Sequence, residues 1–500
     1  MRSKKNIITI LLLLFVSLTI AAEDSIRIRP CRSGVILPTM RSQRAQEPPL
    51  EPGGDFYHGD RRQLVVLAAF RDQPFQGDVA TSLAKWDNIF NAEDYHEGSF
   101  VGSVHDYFYA QSYGMLNLTF DLIYVDLPGS LMKYHSTSSH DENSQYLVDD
   151  IVDVLQTQDI DWSVYDWNGD GYVNQLLIVY AGKGQNADGG SNTIWPHQWW
   201  LSKHLKNIEN KQEGYRGYRT VTTGDKQFII DSYCCVQETT NTTNVKTSFG
   251  TICHEYSHCF GFPDFYYDQG TRTVGEWDLM DYGNYGDGGF RPCGYSAHER
   301  WLMGWLTPIE LDGEYSILNM PALEDEGRAY LICNDGWENE YYIVENRQKM
   351  GWDASLPGSG ILIFHIDYDP SAWMSIEETP NTSLRKRYDL FHANNSSSYK
   401  NWAYPYRDNN SLTDTSLPAA KLWHARNDSI FLMSKPLTNM AVDSDGLASF
   451  DFMKDASAIQ TIKSFSVANE QWLDLQGRQL PGRPQRKGLY IVNGRKMVVR

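Results

Sequence analysis

Residues 254–264 read HEYSHCFGFPD, and this stretch decides what fold and chemistry to expect. Its His-Glu-x-x-His start places His254 and His258 one helical turn apart on the same face, so both imidazoles can reach one metal ion. Zinc accepts such nitrogen ligands, and Glu255 lies beside the first of them, where a general base is needed. Taken alone, these five residues also fit two ordinary histidines on a helix surface.

The residues that follow make a zinc site the stronger interpretation. Gly261 tolerates a positive φ, which lets the chain leave the helix in a sharp turn. Asp264, three residues further on, can then swing back as a third ligand and leave the fourth position of the metal open. The metzincin pattern has His at this place, but a carboxylate oxygen also binds zinc. Glu276 or Asp278 remains an alternative third ligand.

A second element lies downstream, where residues 275–283 read GEWDLMDYG. It resembles a Met-turn, in which a methionine, here Met280, packs beneath the metal. Tyr282 comes two residues later, and its hydroxyl is a candidate donor to the oxyanion that forms during hydrolysis. The alternative role for Tyr282 is that of a packed turn tyrosine.

With these motifs in place, the chain resembles the M6 family of secreted metallopeptidases, the immune inhibitor A group. Its most specific part is HEYSHCFGFPDFYYD at 254–268, and further pieces between about 60 and 370 include YFYAQSYGMLNL (107–118), GYSAHERWLMGW (294–305) and YIVENR (342–347). The resemblance implies a metzincin-like catalytic domain, a catalytic zinc, and protein or peptide substrates. Carried over residue by residue, it implies zinc ligands at His254, His258 and Asp264 and the general acid and base at Glu255.

A candidate calcium loop begins at Asp166, in the stretch DWNGDGYVN. Oxygen side chains stand at positions 1, 3, 5 and 9 of an EF-hand-like count, and Gly171 stands at position 6. The twelfth position is Leu177 instead of Glu, so the loop is not a complete EF-hand, and an Asx-rich turn is the alternative. The family resemblance favours a structural calcium. The candidate calcium residues are Asp166, Asn168, Asp170, Tyr172 and Asn174.

The first residues have the order of a secretory signal peptide. A basic head precedes an apolar run and a small-residue pair, which predicts a leader over 1–22, although a retained anchor is the alternative. No later stretch is apolar for long enough to span a membrane, so we expect a mature chain that is secreted or at the cell surface. Residues 23–60 read as a short pro-segment or linker. Cys31 lies there, as a candidate zymogen thiol or a free linker cysteine.

The net charge and the residue composition exclude some classes of function. The formal net charge of −19 argues against nucleic acid as a partner. Hydrophobic and charged contents of 41% and 21% are those of a globular protein. Of the seven cysteines, Cys253 and Cys259 are expected on one helix, too far apart to pair with each other. The oligomeric state is left open by the sequence.

The succession of apolar runs, helical periods and turn residues along the chain predicts an α+β fold. Over 61–308 we expect the zinc peptidase domain, which the family resemblance implies to be metzincin-like, with strands near 64–70, 115–125 and 174–181 and helices near 81–92 and 103–113. A β-rich, sandwich-like domain is expected over 309–455. The tail over 456–500 is similar to the C-terminal sorting segments that Bacteroidetes use for export, and a plain β-hairpin is the alternative.

These features together favour a secreted zinc-dependent endopeptidase in which Glu255 activates water. A second hypothesis is a surface adhesion or carbohydrate-binding protein whose metal is merely structural. A third is a zinc hydrolase of small amides.

Overall fold

The computed structural model describes residues 56–135, 143–187, 189–190, 192–202, 217–240, 246–267, 271–373, 379–397, 402–454, 472–473, 480, 488–492 and 495–499. The leader predicted over 1–22 and Cys31 lie outside these described residues, as do most of the pro-segment and much of the predicted tail. Among the helices that the structure describes, none combines the length and the hydropathy that crossing a bilayer requires.

The described residues form a mixed fold of helices and several sheets, as expected for the α+β class. The strands are β1 Gly59–Ala69, β2 Leu116–Asp126, β3 Leu176–Lys183, β4 His197–Trp200, β5 Arg219–Thr223, β6 Lys226–Ile230, β7 Ser232–Thr239, β8 Ile309–Glu310, β9 Tyr315–Met320, β10 Ala329–Cys333, β11 Glu340–Arg347, β12 Gly360–Asp367, β13 Tyr388–Leu390, β14 Leu437–Val442, β15 Ala448–Phe452, β16 Trp472–Leu473, β17 Gly488–Val492 and β18 Arg495–Val499. The helices are α1 Val79–Asn91, α2 Val104–Gln111, α3 Leu131–Tyr134, α4 Ser144–Leu155, α5 Phe249–Ser257, α6 Ala297–Leu302, α7 Leu323–Glu326 and α8 Pro370–Trp373. Short 3-10 turns lie at Trp162–Tyr165, Gln185–Ala187, His258–Phe260, Gly275–Trp277, Gly283–Gly289 and Gly351–Ser355.

The first sheet has the order β2-β1-β3-β7-β4. Its first four strands run parallel, and β4 lies antiparallel to β7 at the edge. Strand β1 is buried along its last seven residues, which agrees with the continuous apolar run in its sequence. Strands β5 and β6 form a separate hairpin. The sheet is the support on which the metal-motif helix is placed.

Helix α5, which carries the His-Glu-x-x-His motif, is buried along its whole length. The Tyr256 hydroxyl donates to Gln63 Oε1 on β1 at 3.0 Å, and the Tyr256 ring packs edge-on against Phe108 from α2. At the N-terminal end of the helix, a Cβ on Gly250 would overlap the carbonyl oxygen of Asn284, so glycine is required for this close approach. These contacts fix the helix between the sheet and the 3-10 turn at Gly283–Gly289.

The second half of the described chain builds a sheet of order β13-β12-β11-β10-β8 and a smaller one of order β14-β15-β9. Because side chains alternate along a strand, the two faces of β11 pack into different cores. Tyr341 and Ile343 join the core that contains α5, whereas Tyr342 and Val344 join a second core with β9, β14 and β15. One sheet therefore serves both cores.

A buried ion network also connects this sheet to the segment before α6. Arg347 on β11 binds both carboxylate oxygens of Asp353, at 2.5 and 2.6 Å, and Glu345 Oε1 at 3.1 Å. Its Nη2 also donates to the Gly294 carbonyl at 2.9 Å. All three charged side chains are almost completely buried, and the single guanidinium binds both carboxylates inside the protein.

Near the end of the chain, β16, β17 and β18 form an antiparallel sheet of three short strands. The intervening parts of the tail lie outside the described residues. Its role as a sorting segment stays a prediction.

Candidate active site

The two histidines of the motif lie at the end of α5 and in the turn that follows it. His254 is in the helix, and His258 begins the 3-10 turn His258–Phe260. Gly261 then adopts a left-handed φ of 93°, and its N–H donates to the His258 carbonyl at 3.0 Å. This sharp turn is the one expected from the glycine, and it brings Asp264 back towards the imidazoles.

Main-chain carbonyls orient both imidazole rings. Nδ1 of His254 lies 2.8 Å from the Leu279 carbonyl, and Nδ1 of His258 lies 2.7 Å from the Phe262 carbonyl. A carbonyl oxygen only accepts hydrogen bonds, so each Nδ1 must carry the proton. The remaining nitrogen of each ring, Nε2, is thereby directed to the same place, which is how metal-binding histidines are commonly held.

Asp264 completes this convergence. Its Oδ1 lies 3.0 Å from Nε2 of His254 and 3.5 Å from Nε2 of His258. The same oxygen is buried, and no described residue gives it a hydrogen bond of good geometry. A buried carboxylate oxygen without such a partner is costly unless a cation binds it. The donor set of two nitrogens and one oxygen fits zinc.

The electrostatics of these groups are strongly coupled. Burial acts to lower the pKa of His254, but Asp264, the charge of Glu255 and the Leu279 carbonyl together raise that pKa to about 9. Burial acts to raise the pKa of Asp264, but the two histidines outweigh it and hold that pKa below its ordinary value. Protons and a metal ion would therefore compete for the same atoms.

Glu255 lies at the edge of this group with its carboxylate almost completely buried. Its Oε2 is 4.0 Å from Nε2 of His258, and the ligand atoms of His254, Glu255 and His258 all lie within 4.8 Å of one another. Burial raises the pKa of Glu255 to about 7, and a hydrogen bond from the Gln198 backbone on β4 opposes this shift. A carboxyl group with a pKa near neutrality can both accept and return a proton.

The predicted Met-turn packs directly against the site. Met280 is completely buried, and its carbonyl accepts a hydrogen bond from the N–H of Phe265, the residue after Asp264. The preceding residue, Leu279, supplies the carbonyl that orients His254. Asp281 closes the turn, because its Oδ2 accepts the backbone N–H groups of three successive residues at 2.8–2.9 Å, namely Thr273, Val274 and Gly275.

The two alternative third ligands have other partners. Glu276 forms an ion pair with Arg272 at 2.5 Å. Asp278 is completely buried, where it accepts hydrogen bonds from the Tyr388 hydroxyl at 2.6 Å and the Met280 N–H at 2.8 Å. Asp264 is therefore the carboxylate that the fold brings to the two imidazoles.

Tyr282 lies next to the site in a cluster of aromatic rings. The Arg272 guanidinium is 4.0 Å from the centre of its ring, and the rings of Tyr266 and Tyr285 are 6.3 and 5.9 Å away. Burial raises the pKa of Tyr266 and of Tyr285, and the charge of Glu255 raises both further. The spacing argument did not identify these two tyrosines, since neither belongs to the zinc motif or the Met-turn. The oxyanion role of Tyr282 stays a prediction.

The candidate calcium loop is a tight turn whose oxygens bind backbone N–H groups. Asp166 accepts from Asp170 and Gly171 at 3.1 and 2.9 Å, and Asp170 Oδ1 accepts from Tyr172 at 2.8 Å. Asn174 Oδ1 accepts from Trp167 at 2.6 Å, and Asn168 donates its side-chain amide to Asp170 at 3.1 Å. These contacts suit the Asx-rich turn that was the alternative, and calcium stays a prediction.

Five described cysteines are buried: Cys234, Cys235, Cys253, Cys259 and Cys293. Cys253 and Cys259 do not pair with each other, in agreement with the helical spacing. Cys333 is disulfide-bonded. The proposed zymogen thiol, Cys31, lies outside the described residues.

Comparison with known proteins finds a peptidase family and two kinds of relative. Residues 84–304 match the family model of the immune inhibitor A peptidase M6 catalytic domain. Immune inhibitor A of Bacillus thuringiensis subsp. alesti is 25% identical over 309 residues, which cover 52% of this chain and 43% of that protein. The pre-pro-metalloprotease PrtV of Vibrio cholerae serotype O1 (strain M66-2) is 27% identical over 231 residues, which cover 39% of this chain and 23% of that protein.

The chain thus spans less than half the length of each of these relatives. The family match includes α5, the turn at Gly261, Asp264 and the Met-turn, which are the elements that build the candidate site. The resemblance found in the sequence is confirmed over residues 84–304, which match the catalytic domain of the M6 peptidase family.

Proposed function

We propose that this chain is an exported zinc-dependent endopeptidase that hydrolyses peptide bonds of proteins. The observation that carries the proposal is the convergence of two imidazole Nε2 atoms on a buried Asp264 oxygen beside a buried Glu255 carboxylate. Zinc, as the ion of this metallopeptidase site, fits the donor set of His254, His258 and Asp264. Export is proposed from the leader pattern in the sequence.

In this mechanism, zinc supplies Lewis acidity, which makes water a nucleophile at neutral pH and polarises the scissile carbonyl. Glu255 accepts a proton from the attacking water on its carboxylate and later donates it to the leaving amine nitrogen. Its pKa of about 7 suits both transfers. The hydroxyl of Tyr282 is proposed to donate a hydrogen bond to the developing oxyanion. The Leu279 and Phe262 carbonyls hold the two imidazoles in position.

A merely structural metal is the competing interpretation. Such a metal closes its fourth position with another protein ligand and needs no base beside it. Among the described residues, the only group of three or more metal-binding side chains is His254, Glu255 and His258, to which Asp264 is adjacent. A carboxylate with a raised pKa next to three ligands is what hydrolysis requires, and this favours the peptidase.

The central test replaces Glu255 by Gln. We expect Glu255→Gln to keep its zinc and to lose about 10²–10⁴-fold in kcat on casein, because the amide cannot take up the proton. Zinc content is measured by atomic absorption on the purified full chain. Glu276→Gln is the matched control, since Glu276 pairs with Arg272 on the rim, and it should stay within a few-fold of the parent. Full activity in Glu255→Gln would refute the assigned base.

A further inference from the structure

A cavity of about 540 Å³ is lined by residues between His365 and Trp423, more than 100 residues after the zinc motif in the sequence. It lies in the part of the molecule that the second sheet builds. Its walls come from His365 on β12, strand β13, the loop that follows β13, and the loop at 417–423. Its volume falls within the range of about 300–1,000 Å³ that is typical of small-molecule sites. The peptidase mechanism makes no use of this cavity.

One buried carboxylate holds two walls of the cavity together. Glu340 on β11 accepts the backbone N–H groups of Trp423 and His424, at 2.5 and 2.9 Å, and contacts Nε2 of His365 at 2.7 Å. Glu340 is completely buried, and this set of partners holds its pKa below the ordinary value although burial acts to raise it. The walls are therefore formed before any ligand binds, as a binding site requires.

Trp423 is a rigid aromatic side chain at the surface of this cavity. Its indole N–H donates to the Lys386 carbonyl at 3.0 Å, and the Arg385 guanidinium lies 5.6 Å from the centre of its ring. Although it is held in this way, Trp423 remains 40% exposed. A large apolar ring that is both fixed and exposed costs little entropy when it binds a flat apolar surface.

The charges on the walls give no strong preference for a charged ligand. Lys386 and Lys421 line the cavity together with Asp389, and Lys386 Nζ lies 3.7 Å from Asp389 Oδ2. Lys386 and Asp389 largely neutralise each other, and the remaining ammonium group, on Lys421, is exposed and screened by solvent. A neutral molecule with many hydroxyl groups can donate to the carboxylate and accept from the ammonium groups.

We propose that this cavity binds a neutral saccharide, which stacks the C–H face of a sugar ring on Trp423 and directs its hydroxyls to Asp389 and Lys386. The site is independent of the zinc chemistry. It gives the chain a second way to bind its target, through glycans on a protein or on a surface.

The proposal is tested with the full zinc-loaded chain on an array of neutral and acidic glycans, followed by calorimetric titration with the best neutral oligosaccharide. We expect saturable binding of neutral glycans, at least tenfold weaker in Trp423→Ala and in Asp389→Leu. The matched control is Trp337→Ala, because Trp337 is 46% exposed but does not line the cavity. Hydrolysis of a short peptide, which should be the same in all four proteins, verifies that the variants are folded.

Three outcomes would overturn the proposal. The first is an absence of binding to every neutral glycan by the parent chain. The second is a preference for sialylated or sulfated glycans, which would contradict the charge argument. The third is an equal loss of binding in Trp337→Ala and Trp423→Ala, which would place the site outside the cavity. A comparison of a glycoprotein with its released oligosaccharide then distinguishes protein-attached glycan from free saccharide as the source.

Discussion

Asp264 is the residue in which this site departs from the three-histidine metzincin pattern. Its Oδ1 faces both imidazoles, so we expect Asp264→Ala to weaken zinc binding. Removal of a residue that only hydrogen-bonds to a metal ligand typically lowers metal affinity by about 10–100-fold, and removal of the ligand itself should lower it by more. Asp264→His should recover much of the affinity, because imidazole is the usual ligand at this place. Competition with a chromogenic chelator measures both constants. Equal affinities for the parent and Asp264→Ala would show that another group is the third ligand.

Tyr282 provides a second test at the same scale. If its hydroxyl stabilises the oxyanion, Tyr282→Phe should lower kcat by about 10²–10³-fold with little change in KM. Tyr285→Phe is the matched control, since that ring is 5.9 Å from Tyr282 and also lies near Glu255. Steady-state kinetics on a quenched-fluorescence peptide separate kcat from KM. An unchanged kcat in Tyr282→Phe would refute the oxyanion role, and the function of Tyr282 would then be limited to packing against Arg272.

The convergence of His254, His258 and Asp264 could be predicted from the sequence, whereas the contacts that orient these side chains could not. The spacing of His254, His258 and Asp264 follows from helix periodicity and one glycine turn, both of which are local. The Leu279 carbonyl that orients His254 comes from 25 residues downstream. A backbone carbonyl has no residue type to recognise, so only the folded chain reveals this contact.

At the scale of elements, the Met-turn depends on Asp281. Burial raises the pKa of Asp281 to about 7, and of its two oxygens only Oδ2 accepts the three N–H bonds. Since this pKa is above that of the unfolded chain, the folded state binds the proton more tightly. The associated stability is present below about pH 4 and is lost as the pH rises to about 7.

Asp281→Asn keeps one acceptor oxygen and removes the titration. We therefore expect its stability relative to the parent to increase from pH 4 to pH 8, by up to about 4 kcal/mol. Urea unfolding at several pH values measures the difference. A difference that does not change with pH would mean that the three N–H donors keep the carboxylate ionised throughout.

Elements were predicted most reliably where a continuous apolar run or a helical period marks them. Strands β1, β2 and β3 and helices α1 and α2 lie within a few residues of their predicted positions. The edge strand β4, which places Gln198 beside Glu255, was not predicted. It has four residues, too few for a period to be recognised. The separate β-rich domain over 309–455 stays a prediction.

At the scale of the whole molecule, the Arg347 network connects the second sheet to the segment before α6. Arg347→Met would remove the guanidinium that binds both Glu345 and Asp353 in the interior, and we expect it to lower the free energy of unfolding by about 3–5 kcal/mol. Arg328→Met is the control, because the Arg328–Glu326 pair is partly exposed and is worth at most about 1 kcal/mol. Thermal unfolding followed by circular dichroism compares the two. Similar losses of unfolding free energy in the two variants would contradict the proposal that the buried network stabilises the protein more than the exposed pair does.

The alternation of β11 has a practical consequence for anyone who wishes to shorten this protein. A recombinant fragment that stopped at residue 308 would lack Tyr341 and Ile343, which pack into the core that contains α5. The apolar surface that β11 covers would then be exposed to solvent, and fragments with large exposed apolar patches tend to aggregate. The smallest fragment that keeps both cores covered should therefore retain the chain as far as Phe452, the end of β15.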